Sequence, residues 1–159
     1  MYQGSCLCGA VHFEIHGAIR NIIHCHCSQC RKAQGSAFAT NGIVKRNEFK
    51  ITAGEDQLTR HRFTKEQSRY FCRHCGSPIM SRNTTRPDEV RVRIGTIESD
   101  IEERPMAHIF TTSKANWEDI CGDLPQHESY EPDRKALEIC LFRAHLLATV
   151  RTTPRASFV

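Results

Sequence analysis

The 159-residue sequence has few of the features that mark membrane, secreted or nucleic-acid-binding proteins. No run approaches the roughly 18 consecutive apolar residues of a membrane span. The first residues contain neither the basic nor the apolar segment of a secretory signal. Aromatic residues make up only 8%, and the net charge is a modest +4, whereas a nucleic-acid binder typically has a pI above about 9 and a basic face. We therefore expect a cytoplasmic protein with one main domain that binds neither membrane nor nucleic acid.

Cysteine, by contrast, is plentiful, and seven of the nine cysteines fall into three close groups. An odd total without an export signal argues against a secreted disulfide framework, because clustered thiols in a reducing compartment are more often metal ligands. The groups are Cys6 with Cys8, then Cys25 with Cys27 and Cys30, then Cys72 with Cys75.

These seven thiols predict two zinc sites of different kinds. Structural zinc is closed by four protein ligands, whereas catalytic zinc keeps three and an open position. Cys6 and Cys8 would project from one face of a strand, and Cys72 and Cys75 form a zinc knuckle whose turn is completed by Gly76. The two outer pairs therefore predict one closed site. Iron–sulfur ligation fits less well, because C-x-C does not match the usual cluster spacings.

The middle group predicts an open site with three thiolates. Cys25 and Cys27 lie at the end of a predicted strand, and Cys30 lies in the first turn of a predicted helix from Ser28 to Gly35, with Ser28 as its cap. A helix N-terminus favours the thiolate form. Three thiolates leave zinc with a net charge of −1, which suits holding a fourth thiol as a thiolate better than generating hydroxide. A fourth ligand from His24, which would close the site, is the alternative.

The rest of the chain predicts a mainly β fold. Short alternating segments such as residues 10–15 are separated by glycines. From about residue 133 the apolar residues recur at helical spacing, so we expect a zinc-binding domain over residues 1–132 and a C-terminal helix and tail over residues 133–159 that is not a separate domain. That helix could pack on the sheet or on a second subunit, which leaves a homo-oligomer open.

Several segments, in order along the chain, resemble the glutathione-dependent formaldehyde-activating enzyme family. They are residues 4–13, 25–32, 35–39, 71–79, 93–97 and 108–117. The resemblance implies an Mss4-like fold of short antiparallel sheets around two zinc ions. It assigns the closed site to Cys6, Cys8, Cys72 and Cys75, and the catalytic site to Cys25, Cys27 and Cys30. The reaction implied is that of a carbon–sulfur lyase, which joins glutathione and formaldehyde as S-hydroxymethylglutathione.

The predicted function is therefore the addition of a small thiol to formaldehyde or another aldehyde. Four polar residues close in sequence to the triplet are candidate contacts for the thiol, with solvated surface as the equal alternative: Gln29, Arg31, Lys32 and Ser36. The competing hypothesis is a zinc-stabilised, Mss4-like binding or chaperone module without catalysis.

Three further interpretations concern residues outside the cysteine groups. The run from Arg82 to Arg93 holds four arginines but also acidic residues, so we expect a solvated strand edge. Trp117 is expected to be a packing residue. Cys121 and Cys140 are expected to be small buried hydrophobes.

Overall fold

The computed structural model describes residues 1–132, which confirm a mainly β protein with one short α-helix. The predicted C-terminal helix and Cys140 lie outside the described residues. No helix in the described part is both long and apolar enough to cross a membrane. The elements are β1 (Tyr2–Ser5), β2 (His12–Ile15), β3 (Arg20–Cys25), α1 (Ser28–Gln34), β4 (Ala39–Lys45), β5 (Phe49–Ala53), β6 (Leu58–Arg62), β7 (Gln67–Cys72), β8 (Pro78–Asn83), β9 (Arg86–Arg93), β10 (Ala107–Ile109) and β11 (Gln126–His127).

The strands form two sheets that share one apolar core. The smaller sheet has the order β1-β2-β5, and the larger has the order β11-β10-β3-β4-β9-β8-β7-β6. Pairing is antiparallel except where β10 lies parallel to β3 and to β11. The alternation seen in the sequence places Phe13 and Ile15 inward at 1% and 0% exposed, packed with Val90 and Val92 of the larger sheet.

The two faces of β9 have different neighbours. Val90 and Val92 point into the apolar core. Because side chains alternate along a strand, Arg91 and Arg93 point to the opposite face, where both line a cavity of about 380 Å³. The strand is paired on both sides, with β4 and with β8. The expectation of a solvated strand edge is therefore wrong for this part of the run.

The short helix α1 forms where the sequence predicts it, but its cap differs. The helix begins at Ser28, so the capping position is Cys27, whose Sγ accepts a hydrogen bond from the Cys30 N–H at 3.3 Å. At the other end Gly35 adopts the left-handed conformation (φ 65°) and its N–H bonds the Arg31 carbonyl. The capping hydrogen bond at the positive N-terminal end of the helix is thus accepted by a sulfur atom and not by a serine hydroxyl.

Candidate metal centres and the adjoining cavity

The two outer cysteine pairs meet although 64 residues separate Cys8 from Cys72. Their four sulfur atoms all lie within 4.8 Å of one another. Cys6 Sγ lies 3.5 Å from Cys8 Sγ, which in turn lies 3.8 Å from Cys72 Sγ. A tetrahedral zinc with Zn–S bonds of about 2.3 Å requires sulfur–sulfur separations of about 3.8 Å. The spacing of this donor set therefore fits a four-coordinate metal ion.

Local turns aim these thiols at a common point. The Gly9 N–H bonds the Cys6 carbonyl at 2.9 Å, and the Gly76 N–H bonds the Cys72 carbonyl at 2.9 Å. Both glycines have φ of 74°, a conformation that a residue with a Cβ adopts only with strain. Each loop thus reverses directly after its second cysteine, which leaves both thiols of the pair on its inner side.

The middle group forms a second cluster, of three sulfurs within 4.8 Å of one another. Cys25 is buried at the end of β3, while Cys27 and Cys30 are partly exposed at the start of α1. Hydrogen bonds from the thiols of Cys25 and Cys30, followed by the Cys30 N–H, lower the pKa of Cys27 far below its ordinary value. The same contact with Cys27 raises the pKa of Cys25. Negative charge in the cluster therefore settles first on Cys27, at the helix N-terminus.

Soft thiolate donors in sets of four and three suit zinc among the common metals. Within residues 1–132, these two sets are the ones in which three or more potential ligands come this close. His24 is not part of the three-thiol set, because its Nδ1 is 3.0 Å from Thr40 Oγ1 and its ring packs edge-on against Phe38. The alternative of His24 as a fourth ligand therefore has no support in the geometry.

A layer of histidines lies behind the triplet. His26 is fully buried, and its Nε2 is 2.8 Å from the Nδ1 of His108, a buried residue of β10. Burial and then the neighbouring His108 lower the pKa of His26 to about 4. Both rings are consequently neutral near pH 7, with one nitrogen donating to the other. This bond ties the segment that carries Cys25 and Cys27 to β10, whose last residue, Ile109, lines the cavity next to these thiols.

The triplet opens onto a cavity of about 380 Å³. One wall is aromatic: Phe110 and Tyr130 pack edge to face with their ring centroids 4.8 Å apart. The floor is the sheet face that carries Arg69, Arg91 and Arg93. None of the described residues that line this cavity bears a carboxylate. The electrostatics of the cavity therefore favour an anionic ligand.

Arg93 is the most deeply buried of the three arginines, at 4% exposed. It donates a hydrogen bond from Nη1 to Oδ1 of Asn41, its partner on β4. Burial lowers the pKa of Arg93 to about 10, against the opposing influence of the thiols of Cys30 and Cys25. The guanidinium thus remains charged at neutral pH and offsets part of the negative charge that three thiolates bring.

The four polar residues predicted as contacts separate into different places. Gln29 lines the cavity, whereas Lys32 lines a second, more open cavity next to it. Ser36 lines neither cavity, and its Oγ donates to the Phe38 carbonyl. Arg31 lines neither cavity and instead adds its charge to the environment that lowers the pKa of His26. Proximity in sequence to a helix-start cysteine does not decide direction, because successive helix residues point about 100° apart.

Three groups that the sequence interpretation did not select occupy the cavity floor, namely Arg69, Arg91 and Arg93. The signal available for two of them was the alternation Val90-Arg91-Val92-Arg93, which is what a strand with one apolar and one functional face would show. Two packing expectations are wrong: Trp117 is 68% exposed and Cys121 is exposed. Both lie on the long connection between β10 and β11, which lacks strand pairing to bury them.

Comparison with known proteins agrees with the resemblance seen in the sequence. Residues 1–113 match the family described as glutathione-dependent formaldehyde-activating enzyme. A Halomonas elongata protein named after this family is 30% identical over 143 residues, which cover 84% of this chain and 85% of that protein. A Podospora anserina protein of the same name is 35% identical over 80 residues, or 48% of this chain and 37% of its own length. A crystal structure of a Rhodobacter sphaeroides protein superposes with a TM-score of 0.54 at 26% identity, over 63% of this chain and 91% of that one.

Proposed function

The chain belongs to the glutathione-dependent formaldehyde-activating enzyme family, and from this membership we propose that it joins a small thiol, glutathione or an analogue, to formaldehyde or another aldehyde. The observation that carries the proposal is the set of three thiols, without a fourth protein ligand among the described residues, at the edge of an arginine-floored cavity. A closed four-thiol site elsewhere would serve the fold.

We propose zinc for both thiol sets, with Cys25, Cys27 and Cys30 as the ligands of the catalytic ion. A zinc ion with three protein ligands lowers the pKa of a thiol that binds beside it, which keeps that thiol in its nucleophilic form near neutral pH. Cys6, Cys8, Cys72 and Cys75 would hold the structural ion. Residues 1–132 would form the catalytic domain, with residues 133–159 as an extension of it.

The residues of the cavity have three tasks in this reaction. Arg91 binds a carboxylate of the thiol substrate through charge-assisted hydrogen bonds. Phe110 and Tyr130 form the apolar wall that limits the access of water. Together these contacts hold the sulfur of the substrate at the triplet end of the cavity, which converts an encounter of two solutes into a reaction of positioned groups.

The chemistry is an addition. The thiolate sulfur forms a bond to the carbonyl carbon of the aldehyde, the carbonyl π electrons move to oxygen, and that oxygen takes a proton from water. The proton lost by the thiol goes to solvent, so the sum is a thiol plus an aldehyde giving a hemithioacetal, which for formaldehyde is an S-hydroxymethyl thioether. The reverse cleavage of the carbon–sulfur bond is the lyase direction.

The test is exchange spectroscopy by NMR on glutathione and formaldehyde at equilibrium, where the exchange rate with protein is compared with the fast uncatalysed rate. Wild-type protein and Cys121→Ser, which alters an exposed thiol outside both sets, are expected to accelerate exchange equally. Cys30→Ser is expected to return it to background while the far-ultraviolet circular dichroism stays unchanged. Wild-type protein that never exceeds background with any small thiol would refute the enzyme and favour the binding module.

A further inference from the structure

A second cavity of about 410 Å³ adjoins the one at the triplet. It is more apolar and more open to solvent, and it lies along α1 and the two last strands of the larger sheet, β7 and β6. Gln29, Phe63 and Arg69 line both cavities. Those three residues therefore form the boundary at which the two spaces meet, and a ligand held at the triplet would pass them to reach the outer cavity.

Arg69 is held at this boundary by two contacts. Its Nη1 donates to the Gln29 carbonyl at 3.0 Å, and its Cζ lies 4.3 Å from the centroid of the Phe63 ring. Gln29 immediately precedes Cys30, so the guanidinium reaches the first turn of α1, beside the thiols. A carbonyl and a ring face engage an arginine without neutralising it, and the described residues bring no carboxylate within ion-pair distance of Arg69.

A second arginine, Arg91, places another positive charge on the cavity floor. Arg69 of β7 stands opposite Ser81 of β8, which stands opposite Arg91 of β9. Neighbouring strands lie about 4.8 Å apart, so the backbones of the two arginines are separated by roughly 10 Å, with a hydroxyl between them. Two like charges in a cavity without a carboxylate repel each other, and an anionic ligand between them would relieve that repulsion.

We propose that Arg69 determines specificity for thiols that carry a carboxylate, by exchanging its hydrogen bond with the Gln29 carbonyl for a charge-assisted bond with the carboxylate of the substrate. This inference rests on the proposed function, since it assumes that the triplet receives the sulfur. Neutral thiols would bind through the sulfur alone. A cationic thiol would be disfavoured by the arginines on the floor.

The experiment measures affinity rather than turnover. Zinc-loaded full-length protein is titrated with 3-mercaptopropionate, 2-mercaptoethanol and cysteamine, which are of similar size and are respectively anionic, neutral and cationic, and binding is followed by calorimetry. Wild-type protein is expected to bind 3-mercaptopropionate most tightly, then 2-mercaptoethanol, and cysteamine most weakly. Arg69→Ala is expected to weaken the affinity for 3-mercaptopropionate by roughly tenfold to a hundredfold, the range of one charge-assisted hydrogen bond. The affinity for 2-mercaptoethanol is expected to stay within twofold of the wild-type value.

Two further variants separate charge from packing. Arg60→Ala removes an exposed arginine of β6 that lines neither cavity, and it is expected to bind all three thiols like the wild type. Arg69→Lys keeps the charge but loses the planar fork, and it is expected to recover part of the affinity for 3-mercaptopropionate only.

The outcomes distinguish this inference from the proposed function. A preference for 3-mercaptopropionate that disappears with Arg69 supports the inference even if exchange with formaldehyde is never accelerated, in which case the proposed function alone fails. Equal weakening of the anionic and neutral thiols in Arg69→Ala, or no difference between Arg69→Ala and Arg60→Ala, overturns the inference whatever the catalytic result. A wild-type protein that binds none of the three thiols overturns both.

Discussion

Replacing Cys72 with serine tests whether a metal at the four-thiol set holds the two sheets together. Cys72 is fully buried at the end of β7, and its sulfur is 3.8 Å from that of Cys8, in the loop after β1. The metal would therefore link the smaller sheet to the outer half of the larger one. Serine preserves the shape of the side chain but offers a hard, protonated oxygen, which zinc accepts poorly compared with a thiolate.

The expected cost follows from the usual contribution of structural zinc. That contribution is on the order of 10–16 kcal/mol at pH 7, so an equal share for each of four ligands is about 2.5–4 kcal/mol. One kcal/mol lowers the Tm of a chain of this size by about 2–4 °C, so the Tm is expected to fall by roughly 5–16 °C. If the metal is lost altogether, the cost reaches the whole stability of a typical domain, about 5–15 kcal/mol, and soluble protein is lost.

The assay is thermal melting of the zinc-loaded variants, with the zinc content measured on the same samples. Cys72→Ser is compared with Cys27→Ser, which removes a ligand from the other set but leaves a good helix-capping residue in place, and with Cys121→Ser. We expect a large fall for Cys72→Ser, a folded protein with one zinc for Cys27→Ser, and no change for Cys121→Ser.

A chelator separates the metal from the packing of the buried side chain. Once zinc is stripped, wild type and Cys72→Ser should melt at nearly the same temperature, because the ligand that distinguishes them no longer binds anything. Equal destabilisation by Cys72→Ser and Cys27→Ser would refute the division into a structural and a catalytic set. If Cys72→Ser still melts as far below the wild type after chelation as before it, the loss of Tm is due to packing and not to the metal.

Two further predictions concern residues outside the two thiol sets. Burial raises the pKa of Glu103, but hydrogen bonds from the Ile19 N–H and the Tyr2 hydroxyl outweigh burial and lower this pKa overall. Glu103→Gln should therefore lower the free energy of unfolding, measured in urea at pH 7, by about 1 kcal/mol, and its difference from wild type should narrow as the pH falls below about 4. Exposed Glu102→Gln should leave the free energy of unfolding unchanged at both pH values. Gly54→Ala should destabilise the fold by at least about 1–2 kcal/mol of left-handed strain and so lower the Tm. The reason is that φ is 71° at Gly54 and the added Cβ would lie 1.8 Å from a backbone carbonyl oxygen. An unchanged Tm would contradict this account.

The two thiol clusters could be anticipated from the sequence because the geometry of each cysteine group is local. Two thiols separated by one or two residues and followed by a glycine can converge within a single turn, as in the pair Cys6 and Cys8 and in the pair Cys72 and Cys75. Because a closed site takes four ligands, the two outer pairs could be assigned to one set although they lie far apart in the chain, which left the middle three cysteines as the other set. The short helix was likewise predictable, since a left-handed Gly35 ends it, and so was the burial of Phe13 and Ile15, which alternation alone dictates.

The cavity floor required the tertiary structure. Alternation in β9 separates Arg91 and Arg93 from the valines, but it does not show whether the arginine face meets water or a cavity. The pairing of β9 with β4 and β8 makes it a central strand, and the register across β8 sets Arg69 in the same row as Arg91. Charges distant in sequence become neighbours through such pairing, and only the packing of α1 and the aromatic wall above the sheet turns that row into the lining of a site.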